Sequence, residues 1–274
     1  MGSYSPAPAV GQLIKDMGEV GKRLSEIGAS EGAAGNISVC VRESLEIREL
    51  FPQMTRVDLP TPVPDLVDAT LVVTGSGRRL REIADEPTAN LAVLNVEPGG
   101  KTGRLFTSPD AHFKRVTSEF NSHLAVHHDQ MRTRPVHLHA IIHAQPKHLT
   151  FLSHISKYQD EQSMNTRLMR WQPETIINLP EGIGVLPFLL PGSSHLMIET
   201  MLCMRDHRLV VWSQHGMMVR ADDSILHALD LLEYVETASQ YETLNLYAGE
   251  ASDGIAPQYL REIAEIWNVK QSVY

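Results

Sequence analysis

Apolar residues near the N-terminus recur at the spacing of a helix. Leu13, Met17, Val20, Leu24 and Ile27 follow one another at intervals of four, three, four and three residues, which places them on one helical face. Further helices are predicted over VTSEFNSHLAVHHDQM with Thr117 or Ser118 as N-cap, SSHLMIETMLCMRDH with Ser193 or Ser194 as N-cap, DDSILHALDLLEYVETASQYETLNLYAG, and PQYLREIAEIWN.

Short apolar runs between these helices indicate strands. They are ISVCV, ATLVVTGSG, LAVLNVE, the run from Val136 to His143, and RLVVWSQHGMMVRA, which predicts two strands meeting at a turn around His215 and Gly216. Residues 52–64 contain four prolines and are expected to form an irregular connection, whereas INLPEGIGVLPFLLPG contains strand-like runs broken by glycine and proline. Strands and helices are mixed throughout, and we therefore predict one α/β domain over residues 1–274, with helices covering a central sheet.

Composition and charge narrow the class of protein. The net charge of −9 argues against an extended nucleic-acid surface, which would need clustered Lys and Arg. No apolar run approaches the ~18–20 residues of a membrane span, and the segment MGSYSPAPAV lacks the apolar core of a secretion signal. Cys40 and Cys203 lie in hydrophobic stretches and are expected to be buried thiols in a reducing compartment. These features predict a cytoplasmic protein that binds neither nucleic acid nor membranes.

The segment VHLHAIIHAQPKH, residues 136–148, contains four histidines. In a strand, His137, His139, His143 and Gln145 share one face because successive side chains alternate. Residues two apart lie ~6.5–7 Å from each other and can reach one metal ion, whereas residues four apart, at ~13 Å, cannot. Two metal-binding pairs are thus open, His137 with His139 or His143 with Gln145, and spacing alone favours the first. Strand histidines that face a polar groove or a subunit contact are the other interpretation.

Five short segments, taken in order, resemble the class II aldolase/adducin family. They are AAGNIS, VTGSG, TSEFNSHLAVH, IIHAQPKHLTFLS and WSQHGMMV. The further segment PETIINLPEGIGVLPFLLPG is similar to the rhamnulose-1-phosphate aldolases of that family. Gly-Asn or His-Gly alone is a weak signal, but five motifs in order over nearly the whole chain are specific. The resemblance implies a three-layer α/β fold with a central mixed, largely antiparallel sheet flanked by helices.

The resemblance changes which metal ligands are predicted. In the family a strand ends in His-x-His, often followed by Pro, so His143 matches the first ligand and Gln145 stands where the second histidine is expected. His215 matches the third ligand. His137 and His139 would lie further back on the strand, away from the end where sites of α/β proteins form. A divalent ion, zinc being the expected one, is implied at His143, Gln145 and His215. Glutamine at this position has four interpretations: its amide oxygen binds the metal, the site prefers a different metal, another residue supplies the ligand, or the site is lost.

Two acidic residues match family positions that transfer protons. Glu119 matches the catalytic glutamate beside the metal. Glu174 matches a second acid that reaches a site on a neighbouring subunit and assists proton transfer at the aldehyde half of the substrate. The histidines His123, His127 and His128 lie on a predicted helix and are expected to be surface or packing residues.

Small polar and glycine residues match the family's phosphate and substrate loops. They are Gly35, Asn36, Gly75, Ser76, Gly77 and Ser118. An anion is bound there by backbone N–H groups, hydroxyls and amides, and glycine lets the backbone approach it closely. Arg78 and Arg79, just after one loop, are expected to lie in a solvated turn, and Ala33 departs from the polar residue often found in related aldolases.

The resemblance as a whole implies a metal-dependent class II aldehyde-lyase. It would cleave a ketose 1-phosphate similar to rhamnulose 1-phosphate into dihydroxyacetone phosphate and lactaldehyde through a metal-stabilised enediolate, a step of rhamnose catabolism. Family assemblies are fourfold tetramers with sites between subunits, so we expect a homotetramer. Two alternatives stay open: a sugar-phosphate epimerase or dehydratase on the same fold, and a non-catalytic adducin-like scaffold. Gln145 favours the scaffold, whereas Glu119 and His215 oppose it.

Overall fold

The computed structural model describes residues 9–274. Its strands are β1 (Asn36–Val41), β2 (Gln53–Asp58), β3 (Thr70–Thr74), β4 (Leu91–Val96), β5 (Thr102–Thr107), β6 (Leu138–Ala144), β7 (Gly184–Leu186), β8 (Leu209–Trp212) and β9 (Gly216–Ala221). Its α-helices are α1 (Val10–Glu26), α2 (Pro87–Asn90), α3 (Phe120–Thr133), α4 (Lys147–Ser153), α5 (Glu161–Leu168), α6 (Pro173–Asn178), α7 (Ser194–Cys203), α8 (Ile225–Tyr247) and α9 (Pro257–Ile266). The expectation about a secretion signal falls mainly on residues 1–8, which lie outside the described residues.

All the strands join one sheet in the order β2-β5-β4-β3-β1-β6-β9-β8-β7. Every pairing is antiparallel except that of β7 with β8. The prediction of a central mixed, largely antiparallel sheet is therefore confirmed. The register of β1 on β6 places Asn36 directly opposite His143, which brings together residues far apart in the chain.

Helices pack on both faces of this sheet. On one face α1, α4 and α8 bury residues such as Met17 and Leu232 against Ile142 of β6. On the other face α3 and α7 bury residues such as Val126 and Leu196 against Ile141. Alternation along β6 thus directs His139 and His143 toward the α3 side, on the face that they share with Ile141. No helix in the described range is long and apolar enough to cross a membrane.

Two features of the fold differ from the predictions. Residues 53–58 form the edge strand β2, so the expectation of an irregular connection over residues 52–64 was wrong there. Most of its residues are exposed, and an exposed edge strand lacks the apolar signal that a buried strand carries. Helix α3 begins at Phe120, and its N-cap residue is Glu119, not Thr117 or Ser118. The Thr117 N–H instead donates to the Thr74 carbonyl, which ties Thr117 to the end of β3.

Other predicted elements are confirmed. Ser193 is the N-cap of α7, and its hydroxyl accepts a hydrogen bond from the Leu196 N–H. The turn between β8 and β9 contains His215 and precedes Gly216. That turn and the ends of β1, β3 and β6 lie around one cavity, which holds the candidate site described next.

Candidate active site

A cavity of about 260 Å³ lies where these strand ends meet the N-terminus of α3. Its lining consists of Ala33, Ala34, Gly35, Asn36, Gly75, Ser76, Gly77, Arg78, Thr117, Ser118, Glu119, His143, Gln145, Pro191 and His215. All the residues predicted for metal and phosphate binding are in this set, and so is Glu119. Segments separated by more than a hundred residues therefore form one pocket.

The carboxylate of Glu119 lies between two imidazoles. Its Oε2 is 3.4 Å from Nε2 of His143, and its Oε1 is 3.5 Å from Nε2 of His215. Ligand atoms of these three residues all lie within 4.8 Å of one another, close enough to surround one metal ion.

His143 directs one ring nitrogen at this centre. Its Nδ1 donates a hydrogen bond to the Met217 carbonyl at 2.8 Å, so Nε2 is the nitrogen that faces Glu119. The ring also stacks on Trp212 with centroids 4.6 Å apart. Trp212 is itself fixed, because its Nε1 donates to the hydroxyl of Thr200 at 2.9 Å. Backbone and packing contacts thus hold one candidate metal-binding nitrogen in place.

His215 lies on the tight turn between β8 and β9. Burial and the nearby His143 lower its pKa to about 4, which keeps the imidazole neutral and able to bind a metal at neutral pH. A Cβ at position 216 would lie 2.5 Å from the Ala144 carbonyl and 3.0 Å from Cγ of Gln145. Glycine at 216 therefore allows the turn to lie against the end of β6, where Gln145 lines the cavity.

Glu119 is buried but stays ionised at neutral pH. Burial alone would raise the pKa of its carboxyl, yet the electrostatic interaction with His143, the hydrogen bond from Asn36 and the interactions with His215 and His123 together lower it below the ordinary value. The Asn36 Nδ2 group donates to Oε2 at 2.7 Å. A carboxylate held in this way is able to act as a base or to accept a metal ion.

The groups available to bind an anion in this cavity are the hydroxyls of Ser76 and Ser118 and the cationic side chain of Arg78. The N–H groups of Gly75 and Ser76 are used within the protein, by the carbonyls of Asn90 and Arg115. The hydroxyls of Ser76 and Ser118 make no hydrogen bond within residues 9–274.

Arg78 is a cavity residue that the sequence analysis assigned to a solvated turn. Its side chain is only 19% exposed and donates to Glu82 at 2.8 Å, whereas Arg79 is largely exposed, as expected. The position of Arg78, directly after the Gly-Ser-Gly turn, was the signal that could have identified it.

A chain of buried hydrogen bonds leads away from Asn36. Asn36 Oδ1 accepts from Nε2 of His123, whose Nδ1 is 2.6 Å from the Ser38 hydroxyl. That hydroxyl is 2.8 Å from Nε2 of His127, and Nδ1 of His127 is 2.7 Å from Nδ1 of His139. The side-chain N–H of Asn36 donates to Glu119, so its amide oxygen accepts from His123. One direction is then consistent along the chain: His139 donates to His127, His127 to Ser38, Ser38 to His123, and His123 to Asn36.

The structure separates the two roles predicted for the helix histidines. His123 and His127 are fully buried and hydrogen-bonded, so the surface alternative was wrong for both. Burial, the largest cause, lowers the pKa of His123 and of His139 to about 3, and that of His127 well below its ordinary value. All three are therefore neutral at neutral pH. His139 lies in this network, while His137 is exposed and His128 contacts Asp65.

Glu174 is the predicted site residue that the structure keeps out of the cavity. It lies on the first turn of α6 and is exposed. Its expected role at a neighbouring subunit stays a prediction.

Comparisons with known proteins agree with this geometry. Residues 15–243 match the family described as the class II aldolase and adducin N-terminal domain. A rhamnulose-1-phosphate aldolase from Enterococcus faecalis is 28% identical over 273 residues, covering 97% of this chain and 94% of that protein. Another from Bacteroides thetaiotaomicron is 25% identical over 264 residues, with 96% of each chain covered. The structure of a sugar-phosphate aldolase from Thermotoga maritima superposes with a TM-score of 0.73 at 28% identity, covering 89% of this chain and 98% of that chain.

Proposed function

The chain belongs to the class II aldolase and adducin family, and on this premise we propose that it cleaves a ketose 1-phosphate similar to rhamnulose 1-phosphate into dihydroxyacetone phosphate and lactaldehyde. The predicted enzyme class, a class II aldolase lyase, is confirmed by the family and by the curated relatives. The observation that carries the proposal is the Glu119 carboxylate, buried within 3.5 Å of Nε2 of both His143 and His215.

Three residues of the cavity suit a divalent cation. His143 and His215 would bind it through imidazole nitrogen, and Gln145 would add its amide oxygen. Two neutral imidazoles with one oxygen donor fit zinc or a similar borderline ion, and three protein ligands leave a position open for substrate. Such an ion would supply the electrophile that polarises the substrate ketone and stabilises the negative charge formed on cleavage.

Glu119 is proposed to transfer the proton at the carbon that stays with dihydroxyacetone phosphate. Cleavage removes the proton of the C4 hydroxyl, breaks the C3–C4 bond with its electrons moving toward the C2 ketone, and returns a proton to C3. The ionised Glu119 would remove the C3 proton in condensation; in cleavage it would take up the proton released from the C4 hydroxyl and deliver it to C3, as a general acid and base beside the reacting carbon. Asn36 holds its carboxylate in position by the 2.7 Å hydrogen bond.

The substrate phosphate is proposed to bind at the loop Gly75–Gly77, beside Gly35 and Ser118. The hydroxyls of Ser76 and Ser118 would donate hydrogen bonds to phosphate oxygens, and the guanidinium of Arg78 would add positive charge. The proposal includes a cytoplasmic homotetramer in which Glu174 completes the site of a neighbouring subunit and serves the aldehyde half. It also places the reaction in rhamnose catabolism.

Product analysis on a panel of sugar phosphates tests the proposed reaction. Metal-replete protein is incubated with rhamnulose 1-phosphate, fuculose 1-phosphate and a pentulose phosphate, and dihydroxyacetone phosphate is measured with the aldehyde. We expect both products, with rhamnulose 1-phosphate cleaved fastest. An isomerised or dehydrated sugar phosphate without dihydroxyacetone phosphate would instead support the epimerase or dehydratase alternative. Metal-loaded protein that changes none of the panel would support a non-catalytic scaffold.

A further inference from the structure

A second group of metal-ligating side chains lies outside the active-site cavity. It consists of Glu161 on the first turn of α5, Cys203 at the end of α7, and His207 in the connection from α7 to β8. The thiol, imidazole and carboxylate ligand atoms all lie within 4.8 Å of one another. None of the three lines the cavity that contains Glu119.

His207 is oriented in the same way as His143. Its Nδ1 donates to the Gly182 carbonyl at 3.3 Å, so Nε2 is the nitrogen that faces Glu161, 3.5 Å from Oε1. A backbone hydrogen bond that fixes the other ring nitrogen is typical of histidines that bind metals. The imidazole is 14% exposed, so solvent reaches it only in part.

Glycine at position 184 makes room for the two ligands to lie side by side. A Cβ there would be 2.3 Å from Sγ of Cys203 and 3.1 Å from Cδ2 of His207. Any larger residue at the start of β7 would therefore displace the thiol. The sequence analysis expected Cys203 to be a buried thiol, but the structure finds it partly exposed, whereas Cys40 is buried.

Charge around this group favours a cation. Glu199 and Asp206 are near enough to Cys203 to act on its thiol electrostatically, and both are negative. In the described part of the chain, no lysine or arginine forms an ion pair with Glu161. A surface cavity of about 360 Å³ borders Glu161 and His207, which leaves space for water as a further ligand.

We propose that Cys203, His207 and Glu161 form a second binding site for zinc or a similar thiophilic divalent cation. Thiolate with imidazole selects zinc over magnesium or calcium, which prefer sets of oxygen ligands. Binding replaces the thiol proton, which is released to solvent, by the metal–sulfur bond. The bound ion would connect α5 to the connection between α7 and β8, and it would stabilise the folded chain because the unfolded chain lacks the site.

Cobalt(II) distinguishes this site from the active site, because only this one contains sulfur. Protein loaded with cobalt should show a thiolate-to-cobalt charge-transfer band in the near ultraviolet and two bound metal ions per chain. The variant Cys203→Ser should lose the band and keep one ion. The variant His143→Ala should keep the band, which separates this proposal from the proposed aldolase site. As a matched control, Cys40→Ala should leave the band unchanged.

Two further measurements keep the test decisive. Gly184→Ala should weaken cobalt binding at this site at least tenfold, measured by titration of the band. Circular dichroism and thermal unfolding of each metal-free variant show whether it folds like the parent. A band that persists in folded Cys203→Ser protein would overturn the proposal. So would the absence of any band at saturating cobalt, whatever the metal content of the active site.

Discussion

The hydrogen bond from Nδ1 of His143 to the Met217 carbonyl fixes the orientation of the ring, which suits the metal-binding role proposed for it. Spacing along the strand favoured His137 with His139, and only the resemblance to a family moved the prediction to His143. The physical difference between these histidines is their surroundings: His137 is exposed, whereas His143 is buried against Trp212 beside Glu119. A pattern of residue types along one strand contains no information about these surroundings.

His143→Ala and His137→Ala form a matched pair of variants, one near the end of β6 and one directly before its first residue. We expect His143→Ala to lose stoichiometric metal from the active site, because one of its imidazole ligands is removed. His137→Ala should retain the metal, since its side chain lies outside the cavity. Elemental analysis of Cys203→Ser protein carrying either change measures the active-site ion alone. Equal metal loss in the two variants would contradict the assignment of His143.

Gln145 occupies the position at which the family resemblance predicts a histidine ligand. Replacing it by histidine exchanges an amide oxygen for an imidazole nitrogen, a stronger ligand for zinc. We therefore expect Gln145→His to bind zinc at least tenfold more tightly, measured by competition with a chelator of known affinity. Weaker zinc binding by a folded Gln145→His protein would show that zinc binding requires the amide group of Gln145 or the smaller space that it occupies.

At the scale of elements, the pairing of β1 with β6 and the packing of α3 on both build the environment of Glu119. The chain of hydrogen bonds from His139 to Asn36 crosses all three elements. The individual helix and strands were predictable from apolar periodicity. The network was not, because it depends on a register that places residue 36 opposite residue 143. Edge strand β2 was missed because its exposed residues do not alternate.

Ser38 connects two histidines of this network and does not line the cavity. Ser38→Ala would leave His123 and His127 without their shared partner, so the tautomer in which His123 Nε2 donates to Asn36, and orients it toward Glu119, would no longer be fixed. We expect kcat to fall about tenfold, as for other residues that orient site groups, while the active-site metal stays bound. Ser38→Thr retains the hydroxyl and should restore most of the rate. A Thr variant as slow as the Ala variant, with both folded, would indicate a packing role instead.

At the scale of the whole molecule, a single sheet brings together cavity residues that lie between positions 33 and 215 of the chain. The α/β class and the largely antiparallel sheet were predictable, since buried strands and amphipathic helices carry strong patterns and the motifs occur in family order. Glu174 is exposed on α6 and lies outside the cavity. The role proposed for it would therefore require contact with a second copy of the chain.

The buried histidines make the stability of the molecule sensitive to acid. His123, His127 and His139 have pKa values lowered in the folded state, so the unfolded chain binds more protons as the pH falls below about 6.5. Each of them should therefore reduce the free energy of unfolding by about 2 kcal/mol between pH 7 and pH 5. Urea unfolding of metal-free protein at pH 7, 6 and 5 measures this loss. Stability that is constant across this range would contradict the neutral network.

The rate of dihydroxyacetone phosphate release by wild type and by Glu119→Gln, with bound metal quantified in both, tests the central claim most directly. Glutamine keeps the size of the side chain but cannot transfer the proton. We expect wild type to cleave rhamnulose 1-phosphate and the variant to be slower by about 10²–10⁴-fold with its metal retained, the usual contribution of a general acid or base. A metal-loaded variant that cleaves at the wild-type rate would contradict the account, as would metal-loaded wild type that releases no dihydroxyacetone phosphate.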